Sequence, residues 1–459
     1  MIKNSNIQAR DFSKGSIVGN ILRQSIPLFI AQFAALLYST VDKIYLGHIE
    51  NIGKEALTGI GLTFPIVSII SAFTVLFGLG GTPLFSISRG KGDEEKARKI
   101  MGNSFSLLCI CSVIITLLCY VFASPVLYAL GASSVTHEYA FAYLRIYLLG
   151  TPFLMIGTGM NSYISAQGFS LKAMITTLSG ALINCVLDPL FIFIFGLGIK
   201  GAAIATIISQ TVSFLWVMYF FFIKGSIYSI KADNIKLSGR IVGNICLMGV
   251  TNFIMEATNA AVQLICNKSL SLLGGDTYVA IMTTVNSVRA IMTLLVSSMT
   301  AGSQPVISFN YGAKEYDRVK SGIKFNTFVG MAYTALAWLL IILFPAAFIN
   351  LFTDDVEVVN IGAQYLNIYF MAFIFMALQF SGQTTFMALG KSVPAICFSL
   401  LRKVIIVVPL TLILPHVLPD PISGVFWAEP ISNVLGGTAC FVTMYFLVYR
   451  KIGKETKTA

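Results

Sequence analysis

Long apolar stretches recur along the chain from near Ile17 to Val448, separated by short polar clusters. A membrane-spanning helix needs about 20 mainly apolar residues, and this pattern supplies that length again and again. Strict alternation of apolar and polar residues is absent over any long run, which argues against a transmembrane barrel. The pattern predicts twelve spans, at roughly 17–46, 56–87, 100–123, 139–165, 173–195, 201–223, 244–270, 278–308, 325–349, 359–388, 393–415 and 423–449. Several are longer than a bilayer is thick, so they must tilt or protrude. The expected fold is an all-α polytopic membrane protein of twelve transmembrane helices.

The pattern also repeats. IVGNIL at Ile17 returns as IVGNIC at Ile241, and GKGDEEKAR from Gly90 returns as GAKEYDRVK from Gly312. NSYISAQG, ending at Gly168, matches QTTFMALG, ending at Gly390, and KGAAIAT around Gly201 matches SGVFWAE around Gly424. The four pairs come in order along the chain at nearly one offset, a little under half its length. Two six-helix pseudo-symmetric lobes follow, one over 1–223 and one over 244–459, joined by a basic cytoplasmic linker over 224–243. Six is even, so the copies share an orientation and are related by an axis along the membrane normal. Two such lobes around a cleft suit alternating access, and one such unit can work as a monomer.

Composition agrees with burial in lipid. The 459 residues are 56% hydrophobic and 11% charged, against about 25% charged in an average soluble domain. The net charge of +11 is spread in short clusters between apolar runs, a positive-inside pattern and not a nucleic-acid-binding face. One set holds Lys3, Arg10, Lys14 and Arg23; Arg89, Lys91, Lys96, Arg98 and Lys99; Lys172; and Lys224, Lys231, Lys236 and Arg240. It continues with Lys314, Arg318, Lys320 and Lys324; Lys391, Arg402 and Lys403; and Arg450, Lys451, Lys454 and Lys457. The alternate loops carry Glu50, Glu55, Glu138, Asp276, Asp354, Asp355, Glu357 and Asp420, with Lys54 and Lys200 as their main cations. The basic set is expected in the cytoplasm, together with both termini, in the plasma (inner) membrane of a prokaryote. No A-x-A cleavage signal follows a short apolar region, so the first helix reads as an uncleaved insertion signal.

Several chemistries drop out. The eight cysteines lie in apolar segments without a CxxC pair, which suggests neither zinc nor a disulfide framework. No GxxxxGK[ST] motif is present, so the chain has no ATP-hydrolysing loop. HExxH and GxSxG are missing too, and nothing points to an enzyme. His48, His137 and His416 fall near predicted outer helix ends, and no potassium-type TVGYG filter appears. Transport driven by an ion gradient, with no cofactor, is what remains.

Ionisable residues inside a membrane are costly and usually functional. Asp42 lies four residues after Tyr38, on the same helix face; the alternative is an acid at a helix end reaching the interface. Asp188 lies four residues after Asn184, and Pro189 frees a carbonyl near Asn184 or Cys185. Carboxylate, amide and carbonyl oxygens suit a proton or Na+; a capped structural kink is the alternative. Asn252, Glu256, Asn259 and Gln263 form one polar stripe, which could bind a cationic solute or simply join helices. Arg289 in the next span could neutralise Glu256. Glu429 is a weaker candidate near the start of the last span. Methionines concentrate in the second half, among them Met248, Met255, Met282, Met292 and Met299; methionine adapts to varied ligands but also fills lipid-facing positions.

Three long segments carry a resemblance: PLFIAQFAALLYSTVDKIYLG in the first span, NCVLDPLFIFIFGLGIKGAAIAT across spans five and six, and AGSQPVISFNYGAKEYDRVK after span eight. With these, the chain resembles a multidrug and toxic compound extrusion (MATE) transporter over essentially its whole length. It is more similar to the prokaryotic DinF- and MepA-like branch than to the NorM branch. The resemblance implies a buried cation site at Asp42, Asn184, Asp188 and Thr206, with Tyr38, Tyr143 and Asn161 beside it and a helix bend at Pro27. Ala35 stands where some relatives carry a glutamine. Glu256 matches an acid of NorM-like members, whose second acid has no counterpart here; Gln379 and Gln383 occupy that span. Ion coupling is therefore expected in the N-terminal lobe. Glu256, Asn252, Asn259, Gln263, Met255 and Met282 are expected to meet the solute, with a secondary proton role open to Glu256. The implied function is secondary active efflux of amphipathic, cationic organic compounds in exchange for H+ or Na+. The alternative is a lipid-linked oligosaccharide flippase of a sister family, for which Arg145 and Arg289 could serve an anionic headgroup.

Overall fold

The computed structural model describes residues 11–47, 49, 53–223, 226–353 and 355–453. His48 and the loop charges Lys3, Arg10, Glu50, Lys224, Asp354, Lys454 and Lys457 lie outside them. The described residues are helical almost throughout, without a strand. The first-half helices are α1 (Ile17–Gly47), α2 (Gly53–Gly90), α3 (Glu94–Ala129), α4 (Ser134–Ala166), α5 (Ser170–Pro189, continued by a π-helical turn Leu190–Ile194) and α6 (Gly198–Phe222). The second-half helices begin with α7 (Gly239–Gly274), α8 (Asp276–Gly312) and α9 (Tyr316–Leu343). They end with α10 (Val356–Phe370 and Phe373–Ala388), α11 (Ser392–Leu400, Leu401–Val407 and Val408–Val417) and α12 (from Pro421–Ser432 to Tyr445–Tyr449).

Eleven of these are long and apolar enough to cross a membrane, and the α10 pair, bent by 46°, makes a twelfth. The protein is an all-α polytopic membrane protein. Its lipid-facing character shows in bare apolar side chains such as Val121, Ile194, Leu264 and Phe328, which water would not tolerate in such number.

The repeat is written into the helix starts. Ile17, Gly53, Glu94, Ser134, Ser170 and Gly198 open the first-half helices. Gly239, Asp276, Tyr316, Val356, Ser392 and Pro421 open their counterparts, every pair at the same spacing to within one position. The loops obey it as well. Gly92 has φ +75° after α2, and Lys314, its counterpart after α8, takes the same left-handed conformation with φ +62°. A side chain there is held by the surrounding turn at some cost, since glycine alone adopts it freely.

Helices outrun their apolar stretches where charge continues them. α3 begins at Glu94, before the apolar run, with Asp93 accepting a hydrogen bond from the Lys96 amide at 3.0 Å as its cap. Glu94–Arg98 and Glu95–Lys99 pair one turn apart, at 3.0 and 2.5 Å.

Two compact units partition the chain, and they exchange helix ends. One comprises Ile26–Asn252; the other takes Phe12–Ser25 together with the chain from Phe253 onward. In the first, the segment leading into α7 is stapled to α3. Asn103 receives the Ser238 amide at 2.8 Å and donates to the Lys236 carbonyl at 3.1 Å, and Ser106 donates to the Ile235 carbonyl at 2.7 Å. α7 then crosses α2 with Gly249 against the Leu76 backbone and Gly80 against Ile245 and Gly249. In the second unit the segment leading into α1 is held in the equivalent way. Arg318 donates to the Phe12 and Gly15 carbonyls, both at 2.8 Å, and Asn310 donates to Phe12 at 3.1 Å. Gly302, the counterpart of Gly80 in the repeat, packs on Ser25. The first unit's core gathers Leu46, Ile70, Leu144 and Met155; the second's gathers Ile281, Leu366, Phe370 and Phe426.

One expectation is corrected. Arg402 and Lys403 do not lie in a cytoplasmic loop with Lys391. They sit in the π-helical middle of α11 and are buried. Ten residues of helix place them about 15 Å from Ser392, near half the depth of an apolar core about 30 Å thick. Their compensation comes from α12, as described next.

Candidate functional site

In the first unit, α5 carries Asn184 and Asp188 one turn apart. Asn184 Nδ2 donates to Asp188 Oδ1 at 3.1 Å, the contact their spacing predicts. Pro189 has no amide to give the carbonyl one turn earlier, and the helix widens into the π turn Leu190–Ile194 immediately afterwards. π turns recur at functional positions for this reason: they re-aim side chains and leave carbonyls uncommitted. Asp188 is 1% exposed. Its Oδ2 is buried and takes no bond from a donor group of the described residues.

The neighbour of Asp188 is Asp42 of α1, within hydrogen-bond reach. Two carboxyl groups that close need a proton or a cation between them. Tyr38, one turn before Asp42, faces the same pair. Tyr143 of α4 lies near Thr206 of α6 and stacks on Tyr147 at 5.7 Å; Thr206 donates to the Ala202 carbonyl at 2.9 Å. Asn161 of α4 reaches α5, donating to the Ala173 carbonyl at 3.1 Å.

A cavity of about 210 Å³ is lined by residues one turn from each acid, Tyr38 and Asn184, and not by Asp42 or Asp188 themselves. Tyr38, Asn161, Asn184, Thr206 and Gln210 line it, with Ala35 and Gly180 leaving it room. The structure therefore brings Tyr38, Asp42, Tyr143, Asn161, Asn184, Asp188 and Thr206 into one neighbourhood. α1 runs through Pro27 as one helix, and its change of unit falls between Ser25 and Ile26, just before that proline.

On α7, Glu256 and Gln263 are exposed while Asn252, Met255 and Asn259 are half-buried. Met282 is buried in the second unit's core. No ion pair within 4.0 Å joins Glu256 to Arg289 among the described residues, although Arg289 lies close enough to act on it electrostatically.

Arg289 turns instead to a cluster that the sequence reading did not assemble. Glu429 of α12 is its centre. Lys403 Nζ lies 3.3 and 3.2 Å from its two oxygens, Arg402 lies at 3.5 Å and Arg289 at 3.9 Å. Arg289 Nη1 donates to the Tyr369 hydroxyl at 2.9 Å, and Arg402 donates to Asn433. The stem of Arg402 packs on Gly436, where a Cβ would meet it at 2.8 Å. A π turn holds more residues than an α turn, so adjacent Arg402 and Lys403 can both face inward. The signal available in sequence was the unbroken apolar run on either side of them, from Ser392 to Val417. Arg145 stands apart, donating to the Tyr120 hydroxyl at 3.1 Å and stacking over Tyr120 and Phe141.

Known proteins resemble this chain along both halves. The MatE family model matches residues 27–190 and again 252–413, one copy for each half of the repeat. The multidrug export protein MepA of Staphylococcus haemolyticus (strain JCSC1435) is 25% identical over 440 residues, spanning 95% of this chain and 94% of the relative. A solved MOP superfamily transporter from Pyrococcus furiosus superposes with a TM-score of 0.91 at 22% identity, over 98% of this chain and 99% of that one. An outward-facing multidrug resistance MATE family transporter does so with a TM-score of 0.91 at 21% identity, over 98% and 100%.

Proposed function

The chain belongs to the MatE family, and from that premise we propose that it is a secondary active multidrug efflux transporter. It exports amphipathic organic compounds that carry a positive charge, in exchange for H+ or Na+ moving inward. The efflux reading draws support from the relative, itself a multidrug export protein, that matches along nearly the full length of both chains.

The observation that carries the coupling is the Asp42–Asp188 pair, whose helical neighbours Tyr38 and Asn184 line a cavity. Two unit charges about 4 Å apart repel by about 4 kcal/mol at an effective dielectric constant of about 20. A proton or cation between them removes that repulsion; its departure restores it. Asp42 rides on α1 and Asp188 on α5, so loading and emptying the pair favour different placements of α1. Pro27 leaves the Arg23 carbonyl without its helical partner and is the place where α1 bends. The solute meets the polar stripe Asn252, Glu256, Asn259 and Gln263 with Met255. Both termini face the cytoplasm of a prokaryotic cell, whose plasma membrane holds the protein, and the monomer is the working unit.

Ethidium efflux from proteoliposomes, with a pH gradient and a Na+ gradient imposed separately, tests this. One gradient alone drives efflux in the wild type. Asp188→Asn, which keeps the shape and removes the charge, lowers the driven rate by about tenfold or more, the loss that about 1.4 kcal/mol would cause. Full efflux by Asp188→Asn overturns the ion-site assignment. Flipping of a labelled lipid-linked sugar with no dye movement would replace efflux by the flippase alternative.

A further inference from the structure

The charge cluster in the second unit does not balance. Two guanidinium groups and one ammonium surround a single carboxylate, Glu429. Arginine keeps its proton in proteins, so the cluster is positive whether or not Lys403 does. An uncompensated charge in the interior of a membrane protein is expensive and is read as functional by default.

The three cations are not equivalent. Lys403 engages both oxygens of Glu429, and Arg402 is held by Glu429 and Asn433. Both are buried. Arg289 is the farthest from Glu429, at 3.9 Å, and its side chain is 26% exposed. Its one hydrogen bond among the described residues goes to the neutral Tyr369 hydroxyl, although a guanidinium has five N–H donors to place. Arg289 thus presents unused donors at an accessible face, backed by two buried cations. Glu256, on the neighbouring helix α7, is exposed and close enough to feel Arg289 without pairing with it. An exposed carboxylate thus lies within electrostatic reach of a partly exposed guanidinium that is held by Glu429 and Tyr369 and still has donors to spare.

We propose that Arg289 is a carboxylate-binding residue of the solute site and that Glu256 receives the solute's cation, so that the preferred cargo is zwitterionic and not simply cationic. An arginine fork pairs with a carboxylate by two parallel bonds. The buried Arg402 and Lys403 add attraction for the carboxylate that water does not screen. This rests on the efflux reading only for the solute being cargo.

The test uses a rhodamine bearing a free benzoate and its methyl ester. The xanthylium cation is the same in both, and only the anion differs. Binding to the purified full-length protein is followed by fluorescence polarisation, with no gradient present. The wild type binds the acid about tenfold more tightly than the ester, the scale of a charge-assisted hydrogen bond. Arg289→Gln brings the two affinities together by weakening the acid alone, and Arg289→Lys keeps part of the preference. Equal affinities in the wild type overturn the proposal without need of any variant. Equal weakening of both dyes by Arg289→Gln also overturns it, because a merely structural role would act that way. Preferential binding of the acid with no gradient-driven export would sink the antiport reading and leave this one standing. Gradient-driven export with no preference would do the reverse.

Discussion

Glu429 is the residue on which the second unit's interior charge depends. It pairs with Lys403, Arg402 and Arg289. Removing one partner of a buried pair strands the others at a cost of about 3–5 kcal/mol. Glu429→Gln is therefore expected to lower the unfolding midpoint in detergent sharply, whereas Lys403→Met, which keeps Arg402 on Glu429, lowers it much less. An unchanged midpoint for Glu429→Gln would show that the acid compensates nothing. The residues of this cluster and of the first-unit site were unequally legible. Asn184 and Asp188, like Tyr38 and Asp42, are one turn apart on one helix, so local geometry alone pairs them. Arg402 and Lys403 are compensated by an acid on another helix, and no local rule places Glu429 beside them. Read without it, two adjacent cations look like a loop.

At the scale of elements, glycine decides how closely helices cross. A Cβ on Gly249 would lie 1.9 Å from the Leu76 carbonyl oxygen and 2.9 Å from its Cα. Both are backbone atoms, which cannot rotate away as a side chain can. Gly249→Ala should force α7 off α2 and destabilise the protein by about 1–3 kcal/mol, as overpacking does. Gly243, six positions earlier on the same helix, has nothing within 4 Å of where a Cβ would stand, and Gly243→Ala should be neutral or stabilising by up to about 1 kcal/mol through helix propensity. Thermal unfolding of the two variants checks the pair; equal effects would mean that α7 does not depend on the close crossing. The helices themselves were readable as apolar runs. Their ends were not, because α3 continues through Glu94–Lys99 on capping and ion pairs, and α10 is two helices bent by 46° inside one apolar stretch.

At the scale of the whole molecule, antiport requires that ion and solute favour different states. Linkage then makes the effect mutual: the factor by which bound ion weakens solute binding equals the factor by which solute weakens ion binding. Titrating dye affinity against H+ and against Na+ in detergent should show a loss of about tenfold for one of the two, within the usual 5–150-fold range of such couplings. Dye affinity indifferent to both ions would remove exchange as the mode of transport. Asp188→Asn should abolish the dependence while leaving the dye site in place, which separates coupling from binding.

What the sequence determined by itself was whatever local composition controls. Apolar length set the spans, recurrence at a near-constant offset set the two halves, and one-turn spacing set the Asn184–Asp188 and Tyr38–Asp42 pairs. What only the tertiary structure decided was whatever depends on distant parts of the chain meeting. It brought Asp42 of α1 to Asp188 of α5, exchanged the leading ends of α1 and α7 between the units, and buried Arg402 and Lys403 against Glu429. The physical reason is that a helix in lipid satisfies its backbone within itself. Its existence can be read from its own residues, but the side chains it buries are satisfied only by neighbours that packing supplies.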